Sequence, residues 1–147
     1  MEKWLYKGGE CSSIEELPEN LHGFVYKITN LDTSKIYIGR KILHNTLTKK
    51  LTKKELAEQT GPGRKPTKKK VIKESNWLSY WGSNKLLLED IKVLGKDRFE
   101  REILHLTTSK KQLTYYEIHY QCTHNVLGID SYNDNILGKF YRKDLEV

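Results

Sequence analysis

Two periodicities divide this chain. Gly23-Phe24-Val25-Tyr26 and Lys35-Ile36-Tyr37-Ile38-Gly39-Arg40 are short apolar, β-branched runs, separated by the turn-forming Asn30-Leu31-Asp32-Thr33-Ser34. The pair predicts a β-hairpin from about Gly23 to Gly39 with one tyrosine on each arm. If Thr29 pairs with Ser34, Tyr26 stands opposite Tyr37 on one face, and a one-residue slip would part them. Helical spacing takes over downstream. Trp77, Tyr80 and Trp81 mark one face of a short helix ending at Gly82, more consistent with core packing than with base stacking. Ser83 then caps a helix from Asn84 to Leu94 with a stripe of Leu87, Leu88, Ile91 and Leu94. Phe99 to Leu106 alternates as a strand, and Ser109-Lys110-Lys111-Gln112 is a capping box opening a helix to about Thr123. A similar box, Ser13-Ile14-Glu15-Glu16, predicts a brief helix before Pro18, and Ser131 to Asn135 is turn-like. The order predicts a small α+β fold over residues 1–147: a three-stranded sheet starting with the β-hairpin and flanked by helices.

Residues 43–74 fit neither period. Gly61-Pro62-Gly63-Arg64-Lys65-Pro66 breaks any helix begun around Thr48 to Glu58, so the segment reads as a lysine-rich insertion, expected to be flexible without a ligand. Charge singles out the same stretch. Between Lys49 and Lys73, ten basic residues (Lys49, Lys50, Lys53, Lys54, Arg64, Lys65, Lys68, Lys69, Lys70 and Lys73) against two glutamates give +8, whereas the rest of the chain carries −1. A field concentrated in this way attracts a polyanion and strengthens binding by counterion release. These ten are the candidate nucleic-acid contacts.

Composition narrows the class. With 37% hydrophobic residues and a mean hydropathy of −0.70, no stretch reaches the ~18 apolar residues of a membrane span. No signal peptide is evident at the start. Cys11 and Cys122 are too few and too distant for a disulfide framework, which suits reduced thiols in a cytosolic protein. His119, Cys122 and His124 lack the spacing and the fourth ligand of a zinc site, and the glycines of the insertion do not form a phosphate-binding P-loop.

Phosphodiester hydrolysis requires an activated water, positive charge against the phosphoryl oxygens and help for the departing oxygen. A phenol with its usual pKa of about 10 is a weak base until a cation favours the phenolate. Taken alone, Tyr26 and Tyr37 are ordinary strand tyrosines, and Glu117 is as readily a surface carboxylate.

Gly23-Phe24-Val25-Tyr26 followed by Tyr37-Ile38-Gly39 resembles the signature of the GIY-YIG nuclease superfamily. The first half has Val for the usual Ile and one extra residue after Gly23; the second matches letter for letter. The likeness extends to Glu117 and to Tyr132-Asn133. The insertion and Trp77 to Ser83 are most similar to small phage-type endonucleases related to homing enzymes. The resemblance implies a metal-dependent DNA endonuclease in the cytoplasm of a bacterial or phage-infected cell. Tyr26, Tyr37, Arg40 or Lys41 and Glu117 would be catalytic, with Glu117 holding one Mg²⁺ or Mn²⁺ and Gly39 and Asn133 against DNA. The sequence departs from the family where an arginine is expected on a helix after Tyr-Ile-Gly. Arg40, Lys41 and Arg64 are the candidates, with Arg40 preferred because a guanidinium grips phosphate in two places; His44 is a weaker candidate proton carrier. The rival reading is a non-catalytic basic module that binds DNA or RNA on the same fold. A homodimer would be one way to read a longer site.

Overall fold

The computed structural model describes residues 3–146. The chain divides into two compact units, one comprising the residues up to Leu43 and from Asn76 onward, the other His44–Ser75.

The first unit is built on a five-stranded sheet. Its strands are β1 (Trp4–Tyr6), β2 (Gly9–Cys11), β3 (Gly23–Asn30), β4 (Ile36–Ile42) and, after the strands β5 (His44–Lys50) and β6 (Lys68–Glu74) of the other unit, β7 (Phe99–Thr107). They lie in the order β2-β1-β7-β3-β4. Only the β1–β7 pairing is parallel. The mixed α+β architecture matches the sequence expectation, but the sheet has five strands where three were expected. The two additional strands are three residues each, too short to display an alternating pattern. Their two-residue connection, Lys7-Gly8, has φ of 49° and 81°, the left-handed pair required by a tight hairpin turn.

The sheet is covered on both faces. Phe24, Tyr26 and Ile28 pack with Trp4, Trp77, Leu87 and Ile91 on one side; Val25 and Ile38 pack with Leu113, Val126 and Leu127 on the other. Helix α2 (Lys85–Leu94) supplies Leu87 and Ile91 to the first layer, and α3 (Lys110–Thr123) supplies Leu113 to the second. Helix α2 is capped by Asn84, whose side chain accepts from Leu87 N–H, rather than by Ser83. The expected aromatic helix is a single tight turn, Trp77–Ser79, with Trp77 buried. A bulge in β7 opposite Val25 and Tyr26, where Leu104 is the extra residue, lets both Ile103 and Leu106 reach the first layer.

The second unit is a β-hairpin, β5 with β6, linked through helix α1 (Lys53–Ala57). Helical turns were expected from Thr48, yet Thr48–Lys50 belong to a strand and the helix starts only after Thr52. Thr52 and Glu55 form a capping box that defines this start. Lysines at both odd and even positions had hidden the strand alternation.

Candidate active site

The tyrosine pair depends on hairpin register. Thr29 pairs with Ile36 rather than with Ser34, so Tyr26 faces Gly39 and Tyr37 faces Ile28. The cause lies in the loop: Asn30 Oδ1 accepts from Asp32 and Thr33 N–H, and Asn30 N–H bonds Lys35 O, which lengthens the turn. The displacement is two residues, so parity is kept and the rings still share a face, 6.2 Å apart. Gly39 makes their meeting possible. A Cβ there would lie 2.6 Å from the Tyr26 hydroxyl and 2.9 Å from Tyr37 Cε2. The space above Gly39 is therefore filled by phenols and not left open to a phosphate.

The two tyrosines are not equivalent. Tyr26 is 1% exposed, edge-on to Trp4, Phe24 and Tyr80. Burial holds its phenol well above the usual tyrosine value, and Tyr37 and Tyr80 push the same way. Tyr37 lines an open pocket of about 370 Å³ with Arg40, Asn84, Glu117, Gln121 and Asn133. Its phenol is also raised by burial, opposed by a hydrogen bond to Ser83.

Strand β4 is the edge of the sheet, and this position brings the remaining groups together. Alternation sends Arg40 and Lys41 to opposite faces. Lys41 takes the tyrosine face: its Nζ lies 4.1 Å from the Tyr80 ring centre and donates to Asn76 Oδ1 at 2.7 Å. Burial lowers its pKa. Arg40 takes the α3 face, with Nε 3.8 Å from Glu117 Oε1 and Nη1 donating to Thr114 Oγ1 at 2.8 Å. Thr114 in turn donates to Lys110 O. The Glu117 side chain is only 17% exposed. Burial raises its pKa, and Arg40 only partly offsets this.

The outer edge of β4 is closed by the segment after α3. Tyr132 N–H donates to Ile36 O, Asn133 Oδ1 accepts from Ile38 N–H, and Asn133 Nδ2 and Gln121 Nε2 both donate to Ile38 O. Asn133 thus acts as a one-residue strand, 4% exposed, with both ends of its amide engaged. Arg142 holds that segment by donating to the carbonyls of Val126, Leu127, Ile129, Ser131 and Asn133.

Residues 4–145 match the family model "Putative endonuclease segE, GIY-YIG domain". The chain belongs to this family. No curated protein and no solved structure gives a significant match. In this GIY-YIG domain the first half-motif is on β3 and the second on β4, and family membership makes it a nuclease domain.

The other residues singled out in the sequence lie elsewhere. All ten basic residues of the insertion fall in the hairpin unit of the GIY-YIG chain, as does His44, and Lys69 is paired with Glu55 at 2.6 Å. A larger concavity of about 830 Å³ lies against β1 and β7. Its rim mixes Lys3, Glu10, Lys96, Asp97 and Glu100, with Lys3 and Glu10 paired at 2.5 Å, so its charges offset one another. Sequence reasoning missed Thr114, which orients Arg40, and Tyr80, which separates Lys41 from Tyr26. The Thr114 position, one helical turn before Glu117 on α3, was the available signal. Among the described residues, no helix is long and apolar enough to cross a membrane, and no three His, Cys, Asp or Glu cluster around a metal position.

Proposed function

We propose that this chain is a metal-dependent DNA endonuclease that hydrolyses phosphodiester bonds in the pocket at the β4 edge. The observation that carries the reading is the convergence of Tyr37, Arg40 and Glu117, one phenol, one guanidinium and one carboxylate, on a single open pocket. A phosphate needs those three groups, and no other concavity described above combines them. The +8 segment favours a polyanionic substrate.

The donor set suits a hard cation. Glu117 offers oxygen, the pocket lining adds the Asp134 carboxylate and the Gln121 amide, and thiols are lacking, which favours Mg²⁺ or Mn²⁺ completed by water and phosphate over zinc. The burial that raises the Glu117 pKa also supports this fit, since a carboxylate short of solvation gains from a bound cation. When bound, such an ion supplies positive charge against the phosphoryl oxygens and in favour of the Tyr37 phenolate. Arg40, with a 44% exposed side chain, contributes the second positive charge and has room to turn from Glu117 toward a phosphate. Tyr37 orients the attacking water and takes its proton. The water oxygen bonds to phosphorus as the bond from phosphorus to the leaving sugar oxygen breaks, and that oxygen takes a proton from solvent in the open pocket to leave as a hydroxyl. Tyr26, out of solvent, supports Tyr37 and contacts no substrate. Asn133 acts by fixing the β4 edge, a positioning role in place of the DNA contact implied by the family resemblance.

Supercoiled plasmid incubated with the full chain and Mg²⁺ tests the reading. Wild-type protein should nick or linearise it; Glu117→Ala, Tyr37→Phe and EDTA should each suppress cutting by at least tenfold. Equal cutting by wild type and Glu117→Ala, or no cutting across a range of salt and metal, would overturn the catalytic assignment.

A further inference from the structure

The register of β5 and β6 assigns each of their side chains to a face. Lys50 stands opposite Lys68, Thr48 opposite Lys70 and Thr46 opposite Ile72; the alternate pairs are Lys49 with Lys69 and Leu47 with Val71. The two faces differ. On the second, Val71 is half-buried and Lys69 is tied to Glu55 of α1. On the first, Thr46, Thr48, Lys50, Lys68, Lys70 and Ile72 are all exposed, Ile72 is 72% exposed, and the single acidic residue, Glu74, lies at one end opposite His44.

Two features of this face are unfavourable in isolation. Lys50 lies directly across from Lys68, which destabilises a strand pair. An isoleucine is held in water among lysines and threonines. Both costs disappear against a surface that is anionic at its margins and carries apolar and hydrogen-bonding groups between them. The major groove of DNA has that composition: phosphates along the walls, and base edges with thymine methyl groups on the floor.

We infer that this hairpin enters the major groove of duplex DNA, where Thr46, Thr48 and Ile72 contact base edges while Lys50, Lys68 and Lys70 engage guanine edges or phosphates. The inference rests on the DNA-endonuclease reading and adds to it a source of sequence preference within the chain. Dimensions favour this groove. A two-stranded ribbon fits the ~12 Å major groove but not the ~6 Å minor groove. Seven-residue strands extend about 20 Å, roughly six base-pair steps. Duplex RNA is disfavoured, because its major groove is too narrow for side chains to read. Threonine hydroxyls can donate or accept, and an isoleucine suits a thymine methyl.

Selection from a random duplex-DNA library with the full wild-type chain in EDTA tests this without cleavage. The wild type should enrich a short motif. Thr46→Val/Thr48→Val/Ile72→Thr keeps β-branched residues at all three positions, and so the strand propensity. It should flatten that motif with at least a tenfold loss of discrimination. Lys50→Ala/Lys68→Ala/Lys70→Ala should weaken binding to all sequences and reduce the slope of log K against log salt by up to roughly 2.7. Absence of a wild-type motif, an unchanged motif in the Val/Val/Thr variant, or equal binding of duplex RNA would each overturn the inference. The nuclease reading fails separately: a protein that selects a motif yet never cuts plasmid with Mg²⁺ refutes only that reading, and one that cuts without a motif refutes only this one.

Discussion

Gly39→Ala offers a direct test of how the tyrosine pair is held. The new Cβ would come within 2.6 Å of the Tyr26 hydroxyl, 2.8 Å of its Cζ and 2.9 Å of Tyr37 Cε2, while ordinary contact starts at 3.4 Å. Tyr26 has no room to retreat, with ring centres of Trp4, Tyr80, Phe24 and Tyr37 all within 6.2 Å of its own. Overpacking of this kind costs about 1–3 kcal/mol, and the rigid surroundings favour the upper end. A loss of about 3 kcal/mol corresponds to a fall in Tm of about 10 °C. The cause can be isolated by a double-mutant cycle. Tyr26→Phe alone should cost about 1 kcal/mol, for the hydroxyl's lost hydrogen bond with Tyr80. In that background the hydroxyl overlap is gone while Cζ at 2.8 Å and Tyr37 Cε2 at 2.9 Å still clash, so Gly39→Ala should remain destabilising but cost less than in wild type, by about 0.5–1 kcal/mol. Urea denaturation followed by circular dichroism, alongside plasmid cutting, gives both quantities. A Gly39→Ala protein melting within about 2 °C of wild type, or strictly additive substitutions, would refute the close approach across β4.

Three other outcomes follow from the site. Because burial outweighs Arg40 in raising the Glu117 pKa, Glu117 favours folding below the ordinary glutamate range, and that contribution is lost as pH rises through its raised folded value. In EDTA, Glu117→Gln should therefore melt higher than wild type at pH 7, with the gain shrinking toward pH 4, whereas saturating Mg²⁺ should raise the Tm of wild type only; a lower Tm at pH 7 would contradict this. Asn133→Ala leaves Ile38 N–H without its side-chain acceptor, while Ile38 O keeps Gln121, so urea titration should show a loss of about 2–3 kcal/mol. Asn133→Asp should be no better, since it places a carboxylate against that same carbonyl. Thr114→Val removes the hydroxyl bonded to Arg40 Nη1 and should slow single-turnover cleavage about tenfold, with DNA affinity in EDTA preserved; equal loss of both would indicate a structural role.

The parts of the fold legible in the sequence were those that repeat for long enough. Helix α3 starts after Ser109, as its capping box indicated, because Ser109 accepts from Gln112 N–H. Strand β7 shows its alternation from Phe99 to Ile103, up to the bulge at Leu104. β1 and β2 could not be recognised, as three-residue strands have no period to show and gain their place from pairing with β7 and with each other. β5 and β6 were hidden because polar residues stand on both faces: β5 has a single apolar residue, Leu47, and β6 is charged at five of its seven positions. Within the site, the shared face of Tyr26 and Tyr37 could be argued from parity alone. Which phenol meets solvent could not, because that depends on Trp4, Trp77 and Tyr80 closing over Tyr26 from distant parts of the chain.

The position of Arg40 follows from topology, independent of local pattern. Tyr37 and Arg40 have opposite parity on one strand, so in the interior of a sheet they would face different layers. At an edge strand both can reach around the margin, and β4 is an edge. This explains how Arg40 comes to share a pocket with Tyr37 and Glu117 without the helix on which the family usually carries its arginine. An exposed edge has its own hazard, since its unpaired N–H and C=O groups invite another strand. Tyr132, Asn133 and Gln121 occupy those groups at Ile36 and Ile38, and Asn133 and Gln121 also line the pocket. Protection of the edge and construction of the site are therefore one arrangement. A substitution that loosens the Asn133 segment should expose the edge and disperse the site together.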